Sequence, residues 1–313
     1  EEKNEHDVLF IGDCEVYENI SPITLWEEFG IPSYIRGSAQ QLIWQSYYLL
    51  EEALRYETPR VVVFNVLSMK YDQPQKEAYN RITLDGMKLS SVKLDAVRAS
   101  MTEDEHLIEY VFPLLRFHSR WSELTAEDFQ YLFRRDKVTH NGYYMRADVK
   151  PVGELPVVRD LTDYSFGENA WSYLEKLTAL CKENGITLLL FKAPTLMPHW
   201  YDQWDAQIAD YAAENGLDYL NTIPLAQEIG IDWSTDTYDA GLHLNVAGAE
   251  KLARYLGAYM QARYGLPDRR GEERFASDWA EKTVFYDEMK RAQEEEIAEH
   301  GRLIHFGAQP AES

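Results

Sequence analysis

The chain predicts a doubly wound α/β fold, a mostly parallel sheet flanked by helices in three layers. Three observations carry that expectation. Val8-Leu9-Phe10-Ile11 is a short apolar run closed by Gly12-Asp13. Arg60-Val61-Val62-Val63-Phe64-Asn65-Val66-Leu67 is a second run, too short for a helix and too continuous for a half-exposed strand. Helical stretches separate such runs, and strand–helix alternation builds parallel sheets.

Taken in order, Val8 to Ile11 is the first strand. Ser21-Pro22 supplies an N-cap and a proline at the first helical position, and Gly30 supplies a stop. A short strand around Tyr34-Ile35 leads to Gly37-Ser38, and an amphipathic helix follows from about Gln40 to Tyr56. Pro59 ends it before the Val61 strand. From about Tyr71 to Asp148 the alternation breaks into helical, aromatic-rich sequence, read as an insertion between two sheet strands. A helix from Asn169 to Asn184 stops at Gly185, and Ile186 to Phe191 is the next strand. A helix around Trp204 to Asn215, a strand at Leu217 to Leu220 and a helix from Ala247 to Tyr264 complete the α/β domain at 1–264. Beyond it, 265–313 is an acidic extension, expected as a helix packed on the body or as a partly disordered tail.

The 53 acidic residues against 31 Lys plus Arg give a formal charge of -22. Such a surface repels phosphate backbones, and no basic patch offsets it, so nucleic acid is not an expected partner. No run of about 18 apolar residues marks a membrane span. The chain starts at Glu1 directly before a strand, which suggests a removed upstream signal or anchor. Two cysteines are too few for a disulfide framework, and Cys181 lies in the apolar rhythm of a helix, where core packing is the expected use. The eight histidines show no His-x-x-x-His spacing and the cysteines no Cys-x-x-Cys, so chemistry without metal or cofactor is expected.

Two segments can carry chemistry. In an open parallel sheet, sites form at the carboxyl ends of strands. Gly12-Asp13-Cys14 is such an end, with a thiol in the exposed position and backbone N–H groups behind it for an oxyanion. Asp239-Ala240-Gly241-Leu242-His243 sits before the last helix and offers an imidazole base with a carboxylate, Asp239 or Asp236, to orient it.

Gly-Asp-nucleophile at the first strand, then Asp and His before a closing helix, resembles the SGNH (GDSL-type) hydrolase superfamily over residues 7 to 264. Leu25-Trp26-Glu27-Glu28-Phe29-Gly30-Ile31, Gln41-Leu42-Ile43-Trp44-Gln45-Ser46-Tyr47-Tyr48 and His118-Ser119-Arg120-Trp121 are similar to its extracytoplasmic cell-envelope branch, near the DltD and alginate-acetylation proteins. The resemblance implies Cys14 as nucleophile and His243 as base. Asp239 becomes the orienting acid, four residues from the histidine where the family usually has three. The N–H groups of Cys14 and Gly37, with the Asn65 side chain, would form the oxyanion hole. The usual Gly-x-Asn-Asp around Asn65 is absent. His118, Arg120 and Trp121 would bind substrate from the insertion, against a plain reading as a solvated helix face. Trp44, Trp121 and Trp200 could form stacking walls, although core packing is the commoner use of such residues.

A cysteine in the nucleophile position admits three readings: a working thiol, a replacement, or a site that kept binding and lost chemistry. The function that follows is an esterase or O-acyltransferase acting on a cell-envelope polysaccharide or related ester through an acyl-cysteine. An extracytoplasmic location and a membrane acyltransferase partner go with it. The alternatives are an inactive glycan- or partner-binding protein of the same frame, and a cytosolic lipase-like hydrolase.

Overall fold

The computed structural model describes residues 6–112 and 140–304. Five strands form one sheet: β1 (Val8–Gly12), β2 (Ser33–Gly37), β3 (Val61–Asn65), β4 (Thr187–Lys192) and β5 (Asp218–Asn221). Their spatial order is β2-β1-β3-β4-β5 and every pairing is parallel. The doubly wound α/β expectation is met.

Strand periodicity explains the layers. Val8, Phe10, Val61, Val63, Leu189 and Phe191 face one side and join a core with α2 (Pro22–Phe29) and the helix Val246–Tyr264. Leu9, Ile11, Val62, Phe64, Leu188 and Leu190 face the other side. There they meet α3 (Ile43–Ala53) and two later helices, Glu168–Glu183 and Asp202–Asn215. Both faces are therefore dry, which is why these strands read as continuous apolar runs. Ser21 caps α2 by accepting from the Thr24 N–H at 3.2 Å, and Gly30 ends it in the left-handed conformation, both as the sequence suggests. Cys181 is buried in the core.

Between β3 and β4 lie α4 (Glu77–Leu84), α5 (Ser91–Ser100) and α6 (Leu107–Val111), which share a small core of Leu84, Met87, Val92, Ala96, Val97 and Tyr110 with Leu49 of α3. From His140 the described chain runs along the outer side of edge strand β2 and then past α1 to the start of the helix Val246–Tyr264. The Ile35 N–H donates to the Asn141 carbonyl at 2.9 Å and the Tyr144 N–H to the Tyr17 carbonyl at 2.8 Å. The Val246 N–H donates to the Arg146 carbonyl at 2.7 Å.

The helix Glu273–His300 lies against α2, where Trp279 stacks on Trp26 at a centroid distance of 4.9 Å. The Ser21 hydroxyl donates to the Tyr286 hydroxyl at 3.2 Å, so the cap of α2 is also an anchor for this helix. Truncating the fully buried Trp279 to alanine is expected to cost about 3–5 kcal/mol in urea denaturation. A loss below about 1 kcal/mol would mean that the helix does not stabilise the sheet.

His140 packs at 5.0 Å from the Phe285 ring and 5.6 Å from Tyr286. Burial pushes its imidazole down to about 4, so the folded protein keeps it neutral. Its folded value lies below the unfolded one, so between about pH 6.5 and 4 only the unfolded chain takes up this proton. Its contribution to stability is therefore lost as pH falls through that window, by roughly 2–4 kcal/mol. His140→Phe should flatten that part of the stability–pH curve relative to wild type, and an unchanged slope would exclude His140 as its source.

Candidate active site

The site forms where β1 ends. Gly12 is required there by close approach: a Cβ would lie 2.7 Å from Val16 Cγ2 and 2.9 Å from Asn65 Cβ. The chain can therefore turn at once into α1 (Cys14–Tyr17), with Asp13 as its N-cap accepting from the Glu15 N–H at 3.1 Å. Cys14 opens that helix and is partly exposed, so its own N–H has no partner within the helix.

His243 arrives from a loop tied down at several points. Thr237 and Leu244 form an antiparallel bridge, and the Thr237 hydroxyl donates to the His243 carbonyl at 2.7 Å. The Leu244 N–H donates to the Asn19 side chain at 2.8 Å. Gly248, in the first turn of the helix Val246–Tyr264, lets that helix approach, since a Cβ there would sit 2.6 Å from the Asp236 carbonyl oxygen.

Of the two candidate carboxylates, Asp239 reaches the ring. Its Oδ2 lies 2.6 Å from His243 Nδ1, and its Oδ1 accepts from the His243 N–H at 2.7 Å. Asp236 is engaged elsewhere, by Lys251 at 2.6 Å and by the Asp232 N–H at 2.8 Å. With Nδ1 on Asp239, Nε2 is the nitrogen left for chemistry, and it is buried with no hydrogen bond among the described residues. The Cys14 Sγ, a Glu18 carboxylate oxygen and a His243 ring nitrogen lie within 4.8 Å of one another.

Glu18 was not anticipated. It is buried one helical turn beyond Cys14, 3.4 Å from His243 Nδ1, and accepts from the Tyr238 hydroxyl. Tyr238 in turn stacks over His243 and lies under the Arg146 guanidinium, at 4.7 Å. The available signal was the i,i+4 spacing of Cys14 and Glu18, which aligns two side chains only if the segment is helical.

A second acidic group lies beneath the nucleophile. Fully buried Lys192, ending β4, donates to both Glu15 oxygens at 2.7 and 2.8 Å and to the Ala193 carbonyl. Asn65, ending β3, donates to Asp13 and to Glu15, each at 3.0 Å. This corrects the expected role of Asn65. Both of its amide hydrogens serve these carboxylates, so it is not a free oxyanion donor. Gly37 stands opposite Gly12 in the β1–β2 register and against Tyr17 of α1, within reach of the site.

Charges follow from this crowding. Burial, with the Asp13 charge adding, pushes the Cys14 thiol up to about 11, although the neighbouring His243 works the other way. Burial opposes a charge on His243, yet the hydrogen bond with Asp239 and the nearby Cys14 outweigh it, aided by Glu18, and push the ring up to about 11. Burial and the Glu15 charge push Asp13 up to about 6, and burial raises Glu18. Thiol and imidazole thus each hold a proton more firmly than the free side chain does.

His118, Arg120 and Trp121 lie outside the described residues. Trp44 is buried under Tyr173 and is core, not a wall. Trp200 packs against Phe166 and Trp204. A cavity of about 770 Å³ runs along the edge strand β2, lined by Tyr34, Arg36, Gly37, Ser38, Tyr56 and Lys88 among others. It meets the site at Gly37 without reaching Cys14 or His243.

No protein-family model matches the chain, and no curated protein matches it. Among solved structures it is similar to a lipase/acylhydrolase from Enterococcus faecalis, at 12% identity over 82% of this chain and 95% of that one, with a TM-score of 0.38. It is similar to a GDSL-like lipase from Bacteroides thetaiotaomicron, at 12% identity over 82% and 87%, with a TM-score of 0.36. An acetyl xylan esterase from Butyrivibrio proteoclasticus aligns at 11% identity over 82% and 64%, with a TM-score of 0.35. At these identities and scores the likeness assigns neither family nor activity.

The Lys192 pair can be tested directly. Lys192→Met leaves the Glu15 carboxylate buried without its cation and is expected to destabilise the fold by about 3–5 kcal/mol. Pairing it with Glu15→Leu should recover much of that loss. Equal losses for single and double variants in chemical denaturation would mean that the two residues do not act as a pair.

Proposed function

We propose that the protein is an esterase or O-acyltransferase working through an acyl-Cys14 thioester. The observation that carries this reading is Cys14 at the carboxyl end of β1 beside a His243 whose Nδ1 is fixed by Asp239 at 2.6 Å.

The Cys14 sulfur attacks the ester carbonyl carbon as its proton passes to His243 Nε2. The carbonyl oxygen becomes an oxyanion, for which the N–H groups of Cys14 and Gly37 are the candidate donors. The C–O bond to the leaving group breaks, and His243 returns the proton to the departing oxygen. Water or an acceptor hydroxyl then attacks the thioester, giving its proton to His243, and the sulfur leaves and recovers it. Asp239 orients the ring and stabilises the imidazolium throughout. His243 serves as base only without its Nε2 proton, so activity requires the neutral imidazole.

The finer part of this reading rests on the sequence resemblance. It comprises a cell-envelope polysaccharide as acceptor or substrate, an extracytoplasmic location and an acyl-supplying membrane partner. No helix among the described residues is long and apolar enough to cross a membrane.

A second reading, a glycan- or partner-binding protein without turnover, is favoured by two observations. Asn65 is engaged by Asp13 and Glu15, and the thiol is pushed up to about 11. Intact-mass measurement after incubation of reduced, chelator-treated protein with an activated acetyl ester separates the two. The acyl reading expects one acetyl group on wild type, absent from Cys14→Ala and slowed at least 100-fold in His243→Ala. An unmodified wild type, or acetylation that persists in Cys14→Ala, would hand the site to the binding reading.

A further inference from the structure

We propose that Cys14, Glu18 and His243 form a binding site for a divalent cation of the zinc class, and that its occupancy blocks the thiol. This goes beyond the acyl reading and does not rest on it, although the two share a sulfur.

Acyl transfer explains Cys14, His243 and Asp239. It gives no work to Glu18, a buried carboxylate one turn along α1 and aimed at the same sulfur and ring. The three donor atoms lie within 4.8 Å of one another. Donors bound tetrahedrally to zinc at its usual bond lengths are about 3.5 Å apart. The donors are therefore at most about 1.3 Å farther apart than such an ion needs.

The rest of the arrangement also suits a metal. His243 is 94% buried, its residual exposure being 6%, and its Nε2 has no hydrogen bond among the described residues. Asp239 on Nδ1 orients the ring so that Nε2, once its proton is lost, is the nitrogen free to bind, as a carboxylate behind a metal-bound histidine does. The Tyr238 hydroxyl holds Glu18 in the same way. One thiolate, one imidazole and one carboxylate select a zinc-class ion over magnesium or calcium, which take oxygen donors. Thiolate and carboxylate together neutralise a dication, and three protein donors leave one position for water. On binding, the S–H bond of Cys14 and one ring N–H bond of the His243 imidazolium break, Sγ–metal and N–metal bonds form, and both protons leave to solvent. A sulfur so engaged cannot attack an ester. The sequence held no metal-ligand spacing because the third donor is more than 220 residues from the first two.

Cobalt is the probe, because a thiolate ligand gives it a charge-transfer band. Titrating Co²⁺ into the reduced, chelator-treated protein should give that band, saturating at one equivalent and abolished by Zn²⁺. Cys14→Ala should lose the band, and Glu18→Gln should keep it with affinity at least tenfold weaker. Zn²⁺ should also protect Cys14 of the wild type from alkylation, mapped by peptide mass. That measurement needs no variant to fold. No thiolate band, a band surviving Cys14→Ala, equal affinity in folded Glu18→Gln, or no protection of Cys14 would each overturn the site. Acetylation without cobalt binding removes only this proposal, and cobalt binding without acetylation removes only the acyl reading.

Discussion

The ion pair between Lys192 and Glu15 is the constraint on which this end of the molecule rests. Both side chains are buried, and each ion removed from water carries a penalty of several kcal/mol unless its partner and its hydrogen bonds are in place. The structure meets that demand with Ala193 on one side and Asn65 on the other. The ends of β1, β3 and β4 are thereby tied together by one polar knot. Because Asn65 also reaches Asp13, the knot fixes the N-cap of α1, and with it the start of the helix that carries Cys14 and Glu18. A shift at Lys192 would be felt at the thiol two strands away.

That anchoring sets the electrostatics above it. Asp13, Glu15, Glu18 and Asp239 surround the thiol and ring, against Lys192 and the imidazole as close cations. Anions that approach a buried thiol favour its protonated form, and anions that approach an imidazole favour the imidazolium. The first effect opposes the charge separation of a thiolate–imidazolium pair at the sulfur, and the two together favour a proton on each partner. The overall charge of -22 acts in the same direction at longer range, screened by salt.

Much of the frame was legible in the chain. The alternation from Val8 to Ile11 and from Val61 to Phe64 expresses two dry faces, and Ser21-Pro22 with Gly30 marks a helix by cap chemistry that needs no tertiary partner. Cys14 and His243 were visible because local turns put them at strand and helix ends. What was not legible depends on long-range pairing. Asn65 looks like a free amide until Glu15 and Asp13 are folded beneath it. Lys192 reads as the polar end of a strand until it meets a carboxylate 177 residues away. Asp239 and Asp236 are equivalent by type, and only folding separates them, by turning Asp239 to the His243 ring and Asp236 to Lys251. Glu18 carried a weak signal, since its spacing from Cys14 matters only once four residues are known to be helical.

The Asp239–His243 bond serves two chemistries equally well, and this is why Glu18 decides between emphases. A carboxylate on Nδ1 makes Nε2 a better base toward a thiol and a better ligand toward a metal, because both depend on the same lone pair. Acyl transfer asks for an unoccupied space at the sulfur and gains nothing from another buried anion there. Such an anion raises the thiol and holds the ring's proton more firmly. Metal binding gains a donor and a compensating charge from that same anion. A buried carboxylate held by Tyr238 against the ring is costly to keep unless something positive lies beside it. The imidazolium answers that need in the resting protein, and a dication would answer it more completely.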